Sequence, residues 1–323
     1  MRPAWQTSTC RCQLALALAL GLGCGDEREA PDAKPPVVER DRAAEASGRA
    51  ERFAAAPDWD TLIELLGQRH NLARELLGPH RMHYVASLRT GPVGVEADAP
   101  LPSVELDQPI YERFAVTDEL ELRWGSAPGE PIRLLLEQHN EHEHGRALIV
   151  LGEQVWSQLD GREWLARPLE SDLWQVWADD AQHAVLDLVE LAGPYADLGE
   201  VETTELDGRP ALRVSLRASE QQHPDRFVEP PSPWRRWARV EIGAATIVVD
   251  RATGLWLSAQ IELSWSFEDR AGRELRGEAR FDGRVEVPDA PPLIRPPADA
   301  SPVPERERPE LLRQRMLDGL AGP

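Results

Sequence analysis

Residues 255–287 read LWLSAQIELSWSFEDRAGRELRGEARFDGRVEV. Leu255, Leu257, Ala259, Ile261, Leu263, Trp265 and Phe267 occupy every second position, with Trp256, Ser258, Gln260, Glu262, Ser264 and Ser266 between them. The alternation resumes with Leu275, Gly277, Ala279, Phe281, Gly283, Val285 and Val287, set against Glu274, Arg276, Glu278, Arg280, Asp282, Arg284 and Glu286. Period two sustained over about thirteen residues predicts a hairpin of long strands, ~43 Å each, with one apolar and one wet face. Gly277 and Gly283 stand on the apolar side, where glycine suits a bend or bulge, so the sheet is expected to curve.

Working back from this hairpin, shorter strand-like runs fill the chain. His83 to Leu88, Val104 to Leu106, Leu120 to Trp124, Ile132 to His139, Arg146 to Leu151, Val155 to Leu159 and Glu163 to Arg167 read as strands. Glu200 to Glu205 and Ala211 to Leu216 add another pair. Asp160-Gly161 and Asp207-Gly208 are strong two-residue turn signals. Two substantial helices are expected. Asp58 caps the first, which runs to Leu77 with leucines at helical spacing and ends at Gly78-Pro79. The second spans Leu173 to Leu191, with Trp174, Trp177, Ala181, Ala184, Val185 and Leu188 at spacings of three and four.

Of 323 residues, 36 are basic and 56 acidic, giving a net charge of −20. Residues 58–287 carry 42 of the acids and 23 of the bases, so the negative charge belongs to the body and not to a tail. This argues against nucleic acid, which requires a basic patch. Lys34 is the one lysine, so an arginine here is weak evidence for anion recognition.

The first residues read as an address. Arg2 and Arg11 precede LALALALGL at 14–22, which is too short to span a bilayer, and then Cys24. The three cysteines lie at 10, 12 and 24, so cleavage before Cys24 leaves no internal disulfide. The expected organisation is a signal peptide over 1–23, an acylated Cys24 and flexible tether over 24–57, a β-rich domain over 58–287, and a Pro-rich tail with a short helix over 288–323. The stretch Leu20-Gly21-Leu22-Gly23-Cys24 resembles the lipobox of bacterial lipoproteins, although Gly21 stands where that pattern has leucine.

With that signal, the turn Leu206-Asp207-Gly208-Arg209-Pro210-Ala211 and the run IVVDRATGLWLSAQI at 247–261 resemble the LolA/LolB-like superfamily of lipid-binding half-barrels. The resemblance covers roughly 58–287. It implies an α+β fold with a curved, mostly antiparallel sheet, an unclosed half-barrel, and helices packed on its concave face. It further implies a lipid or acylated protein as partner, bound in an apolar groove. Trp124, Trp174, Trp177, Leu257, Ala259, Ile261, Leu263, Trp265 and Phe281 are the candidate lining. Cys24 is the expected lipidation site and membrane anchor, which places the protein in the cell envelope, on an outer membrane facing the periplasm.

Nothing nominates a reaction, cofactor or metal. EQHNEHEH at 137–144 offers three imidazoles, read either as a zinc site or, more simply, as a solvated hairpin tip. GxSxG, Walker and GxGxxG motifs are absent. PPSPWRRW at 230–237 reads as a surface loop or as a lid that meets lipid. The alternative to the lipid-groove reading is a non-enzymatic structural or protein-interaction lipoprotein whose sheet is filled by its own side chains. An envelope enzyme is the third.

Overall fold

A computed structural model describes residues 42–93, 114–169, 173–227, 238–268, 272 and 274–302. The signal segment, Cys24, the Val104 to Leu106 run, the PPSPWRRW loop and the C-terminal helix lie outside these residues.

The period-two runs form strands β1 (His80–Pro92), β2 (Phe114–Trp124), β3 (Arg133–Asn140), β4 (Gly145–Leu151), β5 (Gln154–Leu159) and β6 (Trp164–Pro168). After the helical crossover come β7 (Ala196–Leu206), β8 (Arg209–Ala218), β9 (Arg239–Asp250), β10 (Trp256–Glu268), β11 (Glu274–Glu286) and the short β12 (Ala300–Pro302). They join in one sheet of order β12-β6-β5-β4-β3-β2-β1-β11-β10-β9-β8-β7. Two antiparallel meanders, β1 to β6 and β7 to β11, are therefore sewn together at the middle by β1 against β11, with Tyr84 opposite Gly283 and Leu88 opposite Ala279. Asp207 and Gly208 both take positive φ, 52° and 77°, as a two-residue hairpin turn requires.

Four helices cover one face. α1 (Arg42–Ala55), α2 (Trp59–Leu66) and α3 (His70–Leu77) precede the sheet, and α4 (Leu173–Ala192) carries the chain from one meander to the other. A single helix over 58–77 is not what forms. Gly67 closes α2, and the Gln68 side chain turns away to donate to the Gly254 carbonyl at 3.0 Å. Asp58 caps α2 as expected, accepting from the Thr61 amide at 2.9 Å. No described helix is long and apolar enough to cross a membrane.

The sheet corrects the half-barrel expectation. It is open, with β7 and β12 at its edges, mixed, because β12 runs parallel to β6, and not strongly curled. The LolA/LolB-like reading, drawn from the turn at 206–211 and the run at 247–261, falls because the curved half-barrel that it implies does not form. The glycines taken as bends have another purpose. A Cβ on Gly277 stands 2.1 Å from the Trp265 indole, and one on Gly283 stands 2.6 Å from the Phe281 ring. Gly277 admits the Trp265 ring from β10, and Gly283 admits the ring of Phe281, two residues back on its own strand.

Both ends of the body also pack. α1 begins within the stretch expected to be a tether, and it buries Ala46, Ala50 and Phe53. Arg251, in the β9–β10 turn, grips Glu51 of α1 through two nitrogens at 3.0 and 2.7 Å. After β11, residues 288–299 form a strap over the opposite face, where Ile294 is buried against Leu135 and Ile149. A chain beginning at residue 42 is therefore expected to melt like the longer chain. One beginning at 58 is expected to lose several kcal/mol, because Phe53 alone is worth about 2–3 kcal/mol of burial. Paired denaturant melts check this, and equal stability of the two chains contradicts the packing of α1.

Candidate functional site

The nine expected lining residues are all buried, but they do not line a groove. Trp124, Trp174, Trp177, Leu257, Ala259, Ile261, Leu263 and Phe281 belong to one continuous core between the sheet and the helices. Trp265 sits in a second cluster with Ala238, Val240 and Ala279. Along α4, Ala178, Ala181, Ala184 and Ala192 are at most 1 % exposed, and such short side chains allow the helix to lie close on the strands. The indole nitrogen of Trp256 donates to the Gln182 carbonyl of α4 at 3.0 Å, pinning helix to sheet. A register shift between Trp256 and Ser258 lets Trp256 and Leu257 both enter the core, where strict alternation had put them on opposite faces. The apolar groove for a lipid or acylated protein is thus corrected to a filled interior.

Polar groups missed by the sequence reading gather under α4. Asp179 accepts from the His70 backbone amide at 3.1 Å and from His70 Nδ1 at 2.6 Å. A carboxylate on α4 thereby caps α3, whose own Arg69 supplies no side-chain cap. The His70 ring stacks on Trp124 at 5.9 Å and meets the edge of Trp174 at 5.4 Å. An Asp–His pair is half of a nucleophile-activating relay, but His70 Nε2 has no hydrogen-bond partner and the residue is 1 % exposed. The arrangement fits a helix pin. His80 packs against the same Trp124, bonds the Gly78 carbonyl through Nδ1 at 2.8 Å, and leaves its Nε2 unpartnered.

Arg146 forms the second polar node. It donates to Gln138 at 2.8 Å and to Asp180 at 3.4 Å, and its guanidinium lies over the Trp177 ring at 4.9 Å. Burial, with Glu141 adding to it, pushes the Asp118 carboxyl up to about 6 against the pull of Arg146. Asp180 is raised for the same first cause. Asp179 goes the other way. Its bond from His70 holds it below the usual carboxylate range even though burial opposes this.

The opposite face is wet where the strap does not reach. A depression of about 460 Å³ there is lined by Glu119, Glu121, Glu137, His139 and Glu143 among others. Glu119 lies 3.0 Å from His83 Nε2 and 3.5 Å from His139 Nε2. His142 instead reaches the Ala115 carbonyl and His144 approaches Asp160, so the EQHNEHEH histidines diverge as a solvated tip. Among the described residues, no group of three or more histidine, cysteine or acidic side chains is placed to hold a metal.

No protein-family model matches the chain, and no curated protein matches it in sequence.

Two outcomes test the filled interior and its buried charge. Gly277→Ala is expected to cost about 1–3 kcal/mol by forcing the Trp265 indole off its site, and Trp265→Leu in the same chain is expected to recover part of that loss in a denaturant melt. The second is a pH dependence. Asp118 titrates near 6 folded and at 3.8 unfolded, so its contribution rises as pH falls through that window. Burial holds His80 down at about 4 against 6.5 unfolded, so its contribution is lost as pH falls from 6.5 to 4. The two oppose one another. Asp118→Asn removes the first alone and is expected to gain roughly 2 kcal/mol at pH 7 and to lose stability steadily below 6.5. Urea melts at pH 7 and 4.5 that superimpose on the parent's contradict the assignment.

Proposed function

We propose that this protein is a non-enzymatic structural or protein-interaction component of the cell envelope. The observation that carries the reading is the division of labour between the two faces of the sheet. One face is occupied by the chain's own α1 to α4. The other carries charged and polar side chains in regular rows over β1 and β8 to β11, with Glu262 opposite Arg280 and Gln260 opposite Asp282. A face that is polar, broad and set on a rigid sheet suits contact with another macromolecule better than capture of a small apolar ligand.

The envelope location rests on the apolar run at 14–22 followed by Cys24. The non-enzymatic part of the proposal is supported by the burial of His70, which is 1 % exposed, and by the engagement of Arg146 with Gln138 and Asp180.

The test is made on the mature protein in its own cells. A photo-cross-linking residue in place of Gln260 or Arg280 is expected to yield discrete protein adducts, while native mass spectrometry of the purified chain shows the polypeptide mass with no ligand in the interior. Absence of adducts at both positions, or a stoichiometric lipid that survives removal of the acylated N-terminus, overturns the reading. Labelled palmitate that still attaches to Cys24→Ala removes the basis for the location.

A further inference from the structure

We propose that the free edge of β7 is a strand-addition site for an extended, basic segment of a partner protein. The proposal rests on the protein-interaction reading above and names the partner's chemistry.

The hairpin register decides which backbone groups are free. Leu206 lies opposite Arg209 across the two-residue turn, so these two exchange hydrogen bonds, and the bonding alternates from there. Thr204 and Glu202 therefore turn their peptide groups toward Ala211 and Arg213 of β8. Val201, Thr203 and Glu205 turn theirs outward. Pro210, opposite Glu205, bears this out on the partner strand. It has no N–H to give, and its carbonyl accepts from Arg251 on the β9 side at 3.0 Å. Among the described residues no strand lies on the outer side of β7. The other edge of the sheet is closed down in the usual protective way, by a strand of three residues that ends in Pro302. β7 is eleven residues long and contains no proline.

Charge selects the occupant. β7 carries Asp197, Glu200, Glu202 and Glu205 and no basic residue. Asp197 is engaged by His223 at 2.8 Å, and Glu202 pairs with Arg213 at 3.6 Å with both side chains about half exposed. Glu200 and Glu205 are exposed and have no ion-pair partner among the described residues. A second copy of this chain is a poor fit, because pairing β7 with itself sets two such acidic strands about 5 Å apart on chains that each carry a net charge of −20. A strand with cationic side chains is drawn to the same edge. The acids thus shut out the protein's own copies and leave the edge open to the opposite charge. Glu202 shares the outer face with Arg213, while Glu205 shares the helix-covered side with Leu212. The complementary segment carries its bases three residues apart, one on each face, between β-branched residues.

The test uses the mature chain and a fluorescein-labelled peptide of about ten Thr and Val residues with two arginines three apart, read by anisotropy. Binding is expected for this peptide, weaker at higher salt, and not for the same peptide with aspartates in place of the arginines. Thr203→Pro removes an outward N–H that β8 does not use, and is expected to weaken binding about tenfold or more. Glu202→Arg with Glu205→Arg is expected to do the same. N-methylation of alternate peptide amides leaves the protein untouched and is expected to abolish binding whatever Thr203→Pro does to the fold. Arginine-peptide binding that survives N-methylation places the peptide on a face through charge alone and overturns the edge assignment, as does failure of the parent chain to bind at millimolar peptide. Either outcome leaves the cross-linking result at Gln260 and Arg280 to judge the interaction reading separately.

Discussion

The structure depends on how closely α4 can approach the sheet. Ten strand-to-strand steps at ~4.8 Å separate β6 from β7, and the chain has to return across that width after β6. A 20-residue helix, ~30 Å long, supplies the crossing. It can lie near the strands because alanine occupies 178, 181, 184 and 192 on the contacting side. The large groups then come from the sheet and from the helix ends, with Trp256 reaching up to the Gln182 carbonyl and Trp59 stacked where Gly193 leaves room. Had these four positions been leucines, α4 would stand off by about a side-chain diameter, and the bond from the Trp256 indole to the Gln182 carbonyl would be broken.

Polar groups beneath the helix fix its position along its axis, which hydrophobic contact alone does not, since the latter is non-directional. Asp179 is tied to α3 through His70, and Asp180 to β4 through Arg146. Two adjacent carboxylates on successive positions thus point to different elements and set the rotation of α4. Their opposite displacements from the usual carboxylate range follow from what each receives: two bonds from His70 for Asp179, burial with one long contact from Arg146 for Asp180.

Strands such as β8, β10 and β11 were legible because alternation is a local property, whereas β12 lay in what read as a Pro-rich tail. The Asp-Gly turns were legible because few residue pairs accept two positive φ values in succession. Sheet order was not, since nothing near Arg81 announces a partner at Glu286. Curvature was misread at Gly277 and Gly283, where a missing side chain signals either a bend or a ring beside it, and only the placement of the Trp265 ring from β10 and of the Phe281 ring of β11 itself distinguishes them. Trp124, Trp174, Trp177 and Trp265 lie inward, and so does Trp256, which alternation had set on the wet face. Their residue type is silent on whether the space beside them is empty, so a cavity was inferred where Ala184 and Val185 already sit. The His70–Asp179 pair joins residues 109 positions apart, and its one trace in the sequence is an aspartate facing inward on an apolar helix.

The seam between β1 and β11 governs the order in which the molecule comes into being on the ribosome. β1 is made first among the strands, and the strand that pairs with its outer side arrives almost two hundred residues later. Until then the first meander carries a bare thirteen-residue edge at what becomes the middle of the sheet. The patch of Leu135, Ile149 and Trp156 is equally uncovered until Ile294 follows. Pairings of such long sequence separation are slow to close, and unpaired edges and apolar patches invite wrong partners while they wait. The sheet is therefore complete only once β11 and the strap have been made, and until then its open edge and apolar patch depend on being kept apart from neighbours.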